Sequence, residues 1–306
     1  MSPTSSAAPD LHAIMQEVAR QTYPTPALYV VSTPIGNVGD LTLRAVNTLA
    51  LADAVACEDT RNTAALLNRY GLHKELIAAH EHNEREAAER LIARLQSGQR
   101  IALVSDAGTP GISDPGARIV DAVREAGLRV IPLPGPSAAI AALSASGLVN
   151  ERFHFIGFLP ARTAQREASL GALARETSSL VFYEAPHRIE ETVASLVAVF
   201  GPARRIVFAR ELTKLFEEVH RCQLGEAGAW LAADANRGKG EYVIVIEGAQ
   251  AATDQDQAEA ERVLRILLAE CPVKQAVALA AKLTGQKKNA LYERALQLKA
   301  DGESGV

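Results

Sequence analysis

Residues 103–116 read LVSDAGTPGISDPG, with three glycines, two prolines and two aspartates but no lysine or arginine. A glycine-rich turn leaving a strand lets backbone N–H groups approach a ligand, most often a phosphate. A phosphate loop ending in Gly-Lys-Ser/Thr needs its lysine to reach the phosphates, and this stretch has none. A dinucleotide turn needs G-x-G-x-x-G opening a helix, a spacing that Gly108, Gly111 and Gly116 do not meet. An acidic loop without a base suits a ligand of positive character, or one whose carboxylate takes backbone N–H groups. S-adenosylmethionine, with a sulfonium, an ammonium, one carboxylate and a nucleoside, is such a ligand. A purely structural turn is the other reading of this composition.

Three further segments share that build. STPIGNVGDLTLRA (32–45) follows an apolar run and offers Asp40 or Thr42 to cap the next helix. VIPLPGPSAAIAALSASG (130–147) opens a helix of tiny residues at Gly135-Pro136, where Ser137, Ala138 and Ala139 let a helix end press against a flat ligand. ACEDTRNTAALL (56–67) ends its apolar run in Glu58-Asp59. Asp59 could face a substrate or cap a helix starting near Thr60, and Arg61 could hold a phosphate or pair with Asp59. Asp114-Pro115 predicts a helix start, with aspartate as N-cap and proline at the first helical position. His80 and His82 in AAHEHNE lack a third nearby ligand, so no metal is expected.

The elements that position these turns are legible from periodicity. ALYVVS, AVAC, IALVS and LRVIPL alternate with helix-period stretches such as NEREAAERLIARL and PGARIVDAVREAG, which predicts a largely parallel sheet covered by helices. Ligands of such sheets collect at the carboxyl edge. A second series, FHFIGF, SLVFYE, RRIVFARE, EEVHRCQL and GEYVIVIEG, includes a short connection between later strands and predicts a mixed sheet. The expected class is α/β: two α/β domains at 27–134 and 135–249, behind a flexible extension (1–26) holding one short helix at 10–21. GAQAATDQDQ reads as a linker, and 257–300 as an appendage of two or three helices broken by ECPVK and TGQKK.

Charge is polarised along the 306 residues. The net value is −4, yet residues 271–300 carry six basic side chains against Glu293 alone. The overall sign argues against nonspecific coating of nucleic acid, and aromatic residues at 5% offer few base-stacking platforms. Arg162 and Arg166 in GFLPARTAQRE, with Lys274, Lys282, Lys287 and Lys288, could form a phosphate track; a solvated helix face is the alternative for the lysines. Cys57, Cys222 and Cys271 are unpaired in spacing and read as reduced thiols. The N-terminus lacks the layout of a signal peptide and no apolar run approaches a membrane span, so a cytoplasmic, membrane-free protein is expected.

STPIGN, EDTR, SDAGTPGISDPG, PLPGPSAA, FYEAPHR, ARELTK, GEYVIVIEG and KKNALY occur in this order. On them the chain, from about Leu28 to about Leu298, resembles the tetrapyrrole methylase superfamily, and within it the branch that acts on ribosomal RNA. That resemblance implies a two-domain class III methyltransferase fold with S-adenosylmethionine folded in the cleft between the domains. It implies a homodimer, and 2′-O-methylation of a cytidine in the decoding region of 16S ribosomal RNA, as free RNA or within the small subunit. The implied cofactor contacts are Pro34, Ser105, Asp106, Ala107, Gly108, Ser137 and Ala138, then Tyr183, Arg210, Glu211, Leu212, Gly240 and Glu241. HEHNE is implied near the substrate entrance, which turns His82 and Arg61 towards RNA. A ribose 2′-hydroxyl is a poor nucleophile, so a general base is needed; Glu58 or Asp59 is expected there, with Asp106 attracting the cationic end of the cofactor. The longer N-terminus and the linker depart from the family's pattern. Methylation of a tetrapyrrole carbon and a non-catalytic nucleotide-binding module stay open on the residues, whereas the missing dinucleotide fingerprint disfavours an oxidoreductase.

Overall fold

The apolar runs that precede the four Gly-, Pro- and Asp-rich turns are neighbouring strands of one sheet. The computed structural model describes residues 10–148, 151–250 and 254–303. Its first half runs α1 (Leu11–Ala19), β1 (Ala27–Val31), α2 (Leu43–Leu51), β2 (Ala54–Cys57), α3 (Thr60–Arg69), β3 (Glu75–Ala78), α4 (Glu84–Gln96), β4 (Arg100–Val104), α5 (Ala117–Glu125), β5 (Val130–Leu133) and α6 (Ala138–Ser146). All five strands are parallel, in the order β3-β2-β4-β1-β5. Every residue of β2 is buried, as a strand covered on both faces requires. Side chains alternate between two cores: Tyr29, Val31, Leu49 and Val55 pack on one face, Leu28, Leu91, Leu95 and Ile101 on the other.

The second half runs β6 (Phe153–Phe158), α7 (Thr163–Leu173), β7 (Ser179–Glu184), α8 (Ile189–Phe200), β8 (Arg205–Arg210), β9 (Glu218–Gln223), α9 (Leu224–Ala232) and β10 (Tyr242–Ile246). Its sheet is mixed, in the order β6-β7-β10-β8-β9, with only β6 and β7 parallel. Phe182, Phe208, Leu196 and Ile244 centre its main core. Both sheets belong to one compact unit, Met1–Gly248, and Ala249–Val306 form another. In the latter, α10 (Asp254–Glu270), α11 (Val273–Thr284) and α12 (Lys288–Glu303) bury Leu264, Val277, Ala280 and Leu291 together. Pro272 precedes α11, and Gly285, at φ 70°, ends it in a left-handed turn that favours glycine. Among the described residues no helix is long and apolar enough to cross a membrane.

Four expectations change. β3 adds an edge strand that the apolar runs did not announce. Of the extension expected to be flexible, residues 1–9 lie outside the described residues, and its end is tied down: the Thr25 hydroxyl donates to the Gly98 carbonyl at 2.7 Å and Arg100 to the Tyr23 carbonyl at 2.8 Å. α10 begins at Asp254, so the end of the expected linker is helical; residues 251–253 lie outside the described ones. Finally, α5 starts at Ala117 behind Gly116, whose φ is 127°, and not at Asp114-Pro115. The buried Glu84 carboxylate of α4 accepts the Gly116 N–H at 2.6 Å and so serves that helix start in place of Asp114.

Candidate active site

The turns leaving β1, β4 and β5 are stitched to one another. Thr33 and Gly108 exchange backbone hydrogen bonds of 2.8 and 3.0 Å, and the Thr33 hydroxyl donates to the Ser105 carbonyl at 3.1 Å. The Ser32 and Thr109 hydroxyls lie 2.8 Å apart, and Thr109 donates onward to the Pro136 carbonyl at 3.1 Å. The residue types follow from this geometry. Small hydroxyl side chains supply the stitches, and Gly108 takes the left-handed φ of 79° that its turn requires. A Cβ at Gly135 would lie 2.7 Å from the Ser32 Cβ, so only glycine lets these two turns touch.

Facing the stitched turns across a cavity of about 440 Å³ are residues of the second sheet: Phe158, Tyr183 to His187, Leu212, Lys214 and Glu241 to Val243. The volume is within the range of roughly 300–1,000 Å³ typical of small-molecule sites. The sheets approach at two further glycines. A Cβ on Gly157, at φ 75°, would come 2.7 Å from the Ser113 Oγ, and one on Gly36 would come 2.5 Å from the Lys214 Cγ. Tyr183 packs edge-on against Phe155 and Phe158, at centroid distances of 5.1 and 5.6 Å. The charged groups in the lining, histidine aside, are Asp114, Glu184 and Glu241 against Lys214. Lys214 is itself engaged, 2.8 Å from both Glu211 and Glu241. Glu184 accepts from the Thr192 hydroxyl at 2.6 Å and the Ala185 N–H at 2.8 Å. Arg188 Nε lies 3.2 Å from Glu184, close enough for an ion pair though off the hydrogen-bonding angle.

Of the residues singled out in the sequence, Ala107, Gly108, Ser137, Ala138, Tyr183, Leu212 and Glu241 line the cavity. Ser105 is buried beneath the turn, and Pro34 follows the Thr33 stitch. Arg210, buried, donates to the Asn236 and Lys239 carbonyls at 2.7 and 2.8 Å and shapes the approach to β10. Glu211, at φ 48°, accepts the Glu241 N–H at 2.9 Å, and any side chain on Gly240 would strike it. Arg210, Glu211 and Gly240 therefore brace the wall from behind.

The acidic residues fall differently from expectation. Asp106 is exposed and outside the cavity lining; its carboxylate accepts the Asp59 N–H at 3.1 Å and the Asn62 amide at 2.7 Å, tying the β4 turn to α3. Asp59 caps α3 through the Arg61 N–H at 2.8 Å and pairs with the Arg61 guanidinium at 2.7 Å. The hydrogen bonds to Arg61 hold its carboxyl down to about 2. Partial burial raises Glu58, and the nearby Asp106 charge adds to it. The lining carboxylate that no ion pair among the described residues engages is Asp114, pushed up to about 6 by burial, with Glu58 and Asp106 reinforcing the shift and the Ser105 hydroxyl opposing it. Sequence reasoning missed this role, having made Asp114 a helix cap.

The expected RNA contacts also divide. Arg162, Arg61, His82, Lys282, Lys287 and Lys288 are exposed. Arg166 is not: 1% exposed, it donates to the Ser195 hydroxyl at 3.0 Å and the Ala161 carbonyl at 3.2 Å, and lies 3.5 Å from Glu191. It holds the β6–α7 turn from inside and has no access to a phosphate. Among the described residues no three His, Cys, Asp or Glu side chains are grouped to hold a metal ion.

Known proteins match most of the chain. The family model for Tetrapyrrole (Corrin/Porphyrin) Methylases matches residues 27–228, and that for the RsmI C-terminal HTH domain matches 254–299. The chain is 52% identical to a ribosomal RNA small subunit methyltransferase I of Escherichia coli O157:H7 over 270 residues, covering 88% of this chain and 94% of that protein. It is 51% identical to the Pseudomonas aeruginosa protein of the same name, covering 88% and 96%. Among solved structures, the methyltransferase CobJ superposes with a TM-score of 0.55 at 22% identity, covering 72% of this chain and 94% of that one. A diphthine synthase gives 0.55 at 19%, covering 72% and 90%. Those two likenesses speak for the fold alone.

Proposed function

The chain belongs to the tetrapyrrole methylases, within the ribosomal RNA small subunit methyltransferase I family, and from that premise we propose that it 2′-O-methylates a cytidine in the decoding region of 16S ribosomal RNA, with S-adenosylmethionine as donor. The observation that carries the donor is the charge of the cavity. Asp114 and Glu241 line it, with Glu184 enclosed behind them beside Arg188, against one lysine that two glutamates already hold. A polyphosphate would meet repulsion there, whereas a sulfonium and an ammonium are favoured.

The residues present fit that group. Ala107, Gly108 and Ala138 leave room for a flat nucleoside, with Tyr183 and Leu212 offering apolar contact from the other side. When bound, the donor supplies an electrophilic methyl carbon. The protein's part is to orient it, exclude water and align the attacking oxygen, and alignment is worth up to roughly 7–11 kcal/mol in intramolecular models. Pro34, Ser105, Arg210, Glu211 and Gly240 act behind the walls; Asp106 holds α3 against the β4 turn. On the substrate side we assign Glu58, Asp59, His82 and Arg162. Arg61, on an exposed pair of little intrinsic worth, can exchange Asp59 for a phosphate. Lys282, Lys287 and Lys288 supply further phosphate contacts, and the working species is a cytoplasmic homodimer acting on the RNA or the small subunit.

The test is to incubate the protein and labelled donor with small subunits lacking the modification, then map the label. One methylated ribose in the decoding region is expected. Donor retained with no label on any RNA would point to a binding module, and label on a corrin or porphyrin ring to tetrapyrrole chemistry. In the same assay, Lys287→Glu with Lys288→Glu should weaken subunit binding and lower the salt slope by about 0.7 per lost phosphate contact, with donor affinity unchanged.

A further inference from the structure

We propose that Asp114 takes the proton from the attacking ribose hydroxyl, an assignment that rests on the methyl-transfer reading above. Geometry selects it among the carboxylates. Glu58 follows β2 outside the cavity lining, Asp59 is committed to Arg61 and its helix start, and Asp106 to Asn62 and the Asp59 N–H. Glu184 is occupied by Thr192, Ala185 and Arg188, and Glu241 by Lys214. Asp114 is different: it is half-buried in the cavity lining, and none of the ion pairs among the described residues involves it. The groups facing it are Glu58 at the end of β2, Ser105 and Asp106 on the β4 turn, and Tyr183 on β7. Glu184, His187, Lys214, Glu241 and Tyr242 complete the charged and titratable lining of the same cavity. The Ser105 hydroxyl, whose contacts with the Ala107 and Gly108 carbonyls are long at 3.3 and 3.5 Å, also hydrogen-bonds the Asp114 carboxylate and can orient it.

The step balances simply. The ribose oxygen forms the new O–CH3 bond as the methyl C–S bond breaks, and that bond's electron pair stays on sulfur as a neutral thioether. The hydroxyl proton passes to the Asp114 carboxylate and from there to water. A carboxyl group must be ionised before it can accept a proton. With burial pushing Asp114 up to about 6, turnover should rise with pH through that region and level off above it.

Asp114→Asn, nearly isosteric, is the decisive variant. Its kcat on small subunits should fall about 10²–10⁴-fold, the usual contribution of a general base, while calorimetric affinity for S-adenosylhomocysteine, which lacks the sulfonium charge that Asp114 would attract, stays within about twofold of wild type. That unchanged affinity also reports an intact fold. A carboxyl ¹³C resonance titrating near pH 6 in the free wild-type protein should vanish in the variant, the acid limb of the pH profile should vanish from its residual activity, and Asp114→Glu should recover part of the rate. A parallel loss of S-adenosylhomocysteine affinity would overturn the role by placing Asp114 on the donor. Near-normal turnover with an unchanged acid limb would overturn it as well. Wild-type protein that labels no RNA would sink both the reading and the role, whereas an active wild type with an indifferent variant sinks the role alone.

Discussion

The cavity wall from the first sheet is held by backbone and hydroxyl hydrogen bonds among Ser32, Thr33, Gly108, Thr109 and Pro136, whereas the facing wall from the second sheet is held by ion pairs. Glu184 pairs with Arg188, Arg210 lies 3.9 Å from Glu218, and Lys214 joins Glu211 to Glu241. Neutral stitches are short-ranged and indifferent to salt and pH, so the first wall presents one shape under all conditions. Ion pairs respond to both, and their partners can be exchanged. A surface that must grip the same donor at each turnover is thus set against one that can adjust.

The largest expected effect lies on the second wall, where charge is most deeply enclosed. The Glu184 side chain is 0% exposed and that of Arg188 only 20%. Glu184→Ala would leave Arg188 only the Leu159 and Pro160 carbonyls as partners and deprive the Thr192 hydroxyl and the Ala185 N–H of their acceptor. A loss of about 3–5 kcal/mol in urea unfolding is expected, as for other broken buried pairs. Glu184→Gln keeps an acceptor in place and should lose much less. Equal losses would mean that side-chain volume, and not charge, supports the wall.

Arg166→Ala should come next, at about 2–3 kcal/mol, because it leaves the Ser195 hydroxyl unpartnered in a closed interior and removes the fully buried side chain that holds the Ala161 carbonyl. Arg162→Ala should leave stability unchanged and weaken RNA binding instead. Comparing the two by thermal melting and subunit binding separates scaffolding charge from contact charge.

That pair also marks how far the sequence could be read. Strand and helix alternation was legible because β1, β2, β4 and β5 are short apolar runs followed by Gly-, Pro- or Asp-containing turns, and the turns after β1, β4 and β5 were legible because small residues permit their stitching. Arg162 and Arg166 look alike as letters, however. Only the helical period distinguishes them: Arg166 lies one turn before the buried Leu170, whereas Arg162 precedes the first turn of α7. β3 escaped notice because ELIA is a four-residue edge strand with an exposed glutamate at its start. Asp114 was misread because Asp-Pro is a good local helix start, while the group that serves that start, Glu84, is 32 residues away and belongs to α4. Local propensity gave way to a tertiary hydrogen bond, and the displaced carboxylate was left in the cavity.

On the first wall, Gly135→Ala tests the neutral stitching. The added Cβ would meet the Ser32 Cβ at 2.7 Å and force the β5 turn from the β1 turn. Overpacking of this kind costs about 1–3 kcal/mol, and since both turns carry the donor surface, donor affinity by calorimetry should drop about tenfold. The drop should be the same at low and high salt. A salt-dependent drop would show that charge reaches this wall too.

The smallest effect is expected at Lys214, where the second wall is half open. Burial alone would raise Glu211, but the Lys214 ammonium and the Glu241 N–H outweigh it and hold the carboxyl below its ordinary range. A depressed folded-state value means that this stability is present above the ordinary glutamate range and is lost as pH falls through the lowered value. Lys214 is raised, its two glutamates overcoming burial, so its share is present below the ordinary lysine range and is lost only in alkali. At neutral pH both shares are in place. Lys214→Met should therefore lower stability by about 1 kcal/mol or less at pH 7, and variant and wild type should converge in acid and at high salt. A difference that persists unchanged at pH 3 would assign the contribution to the lysine's apolar stem against Gly36, and the second wall would then owe less to charge than its ion pairs suggest.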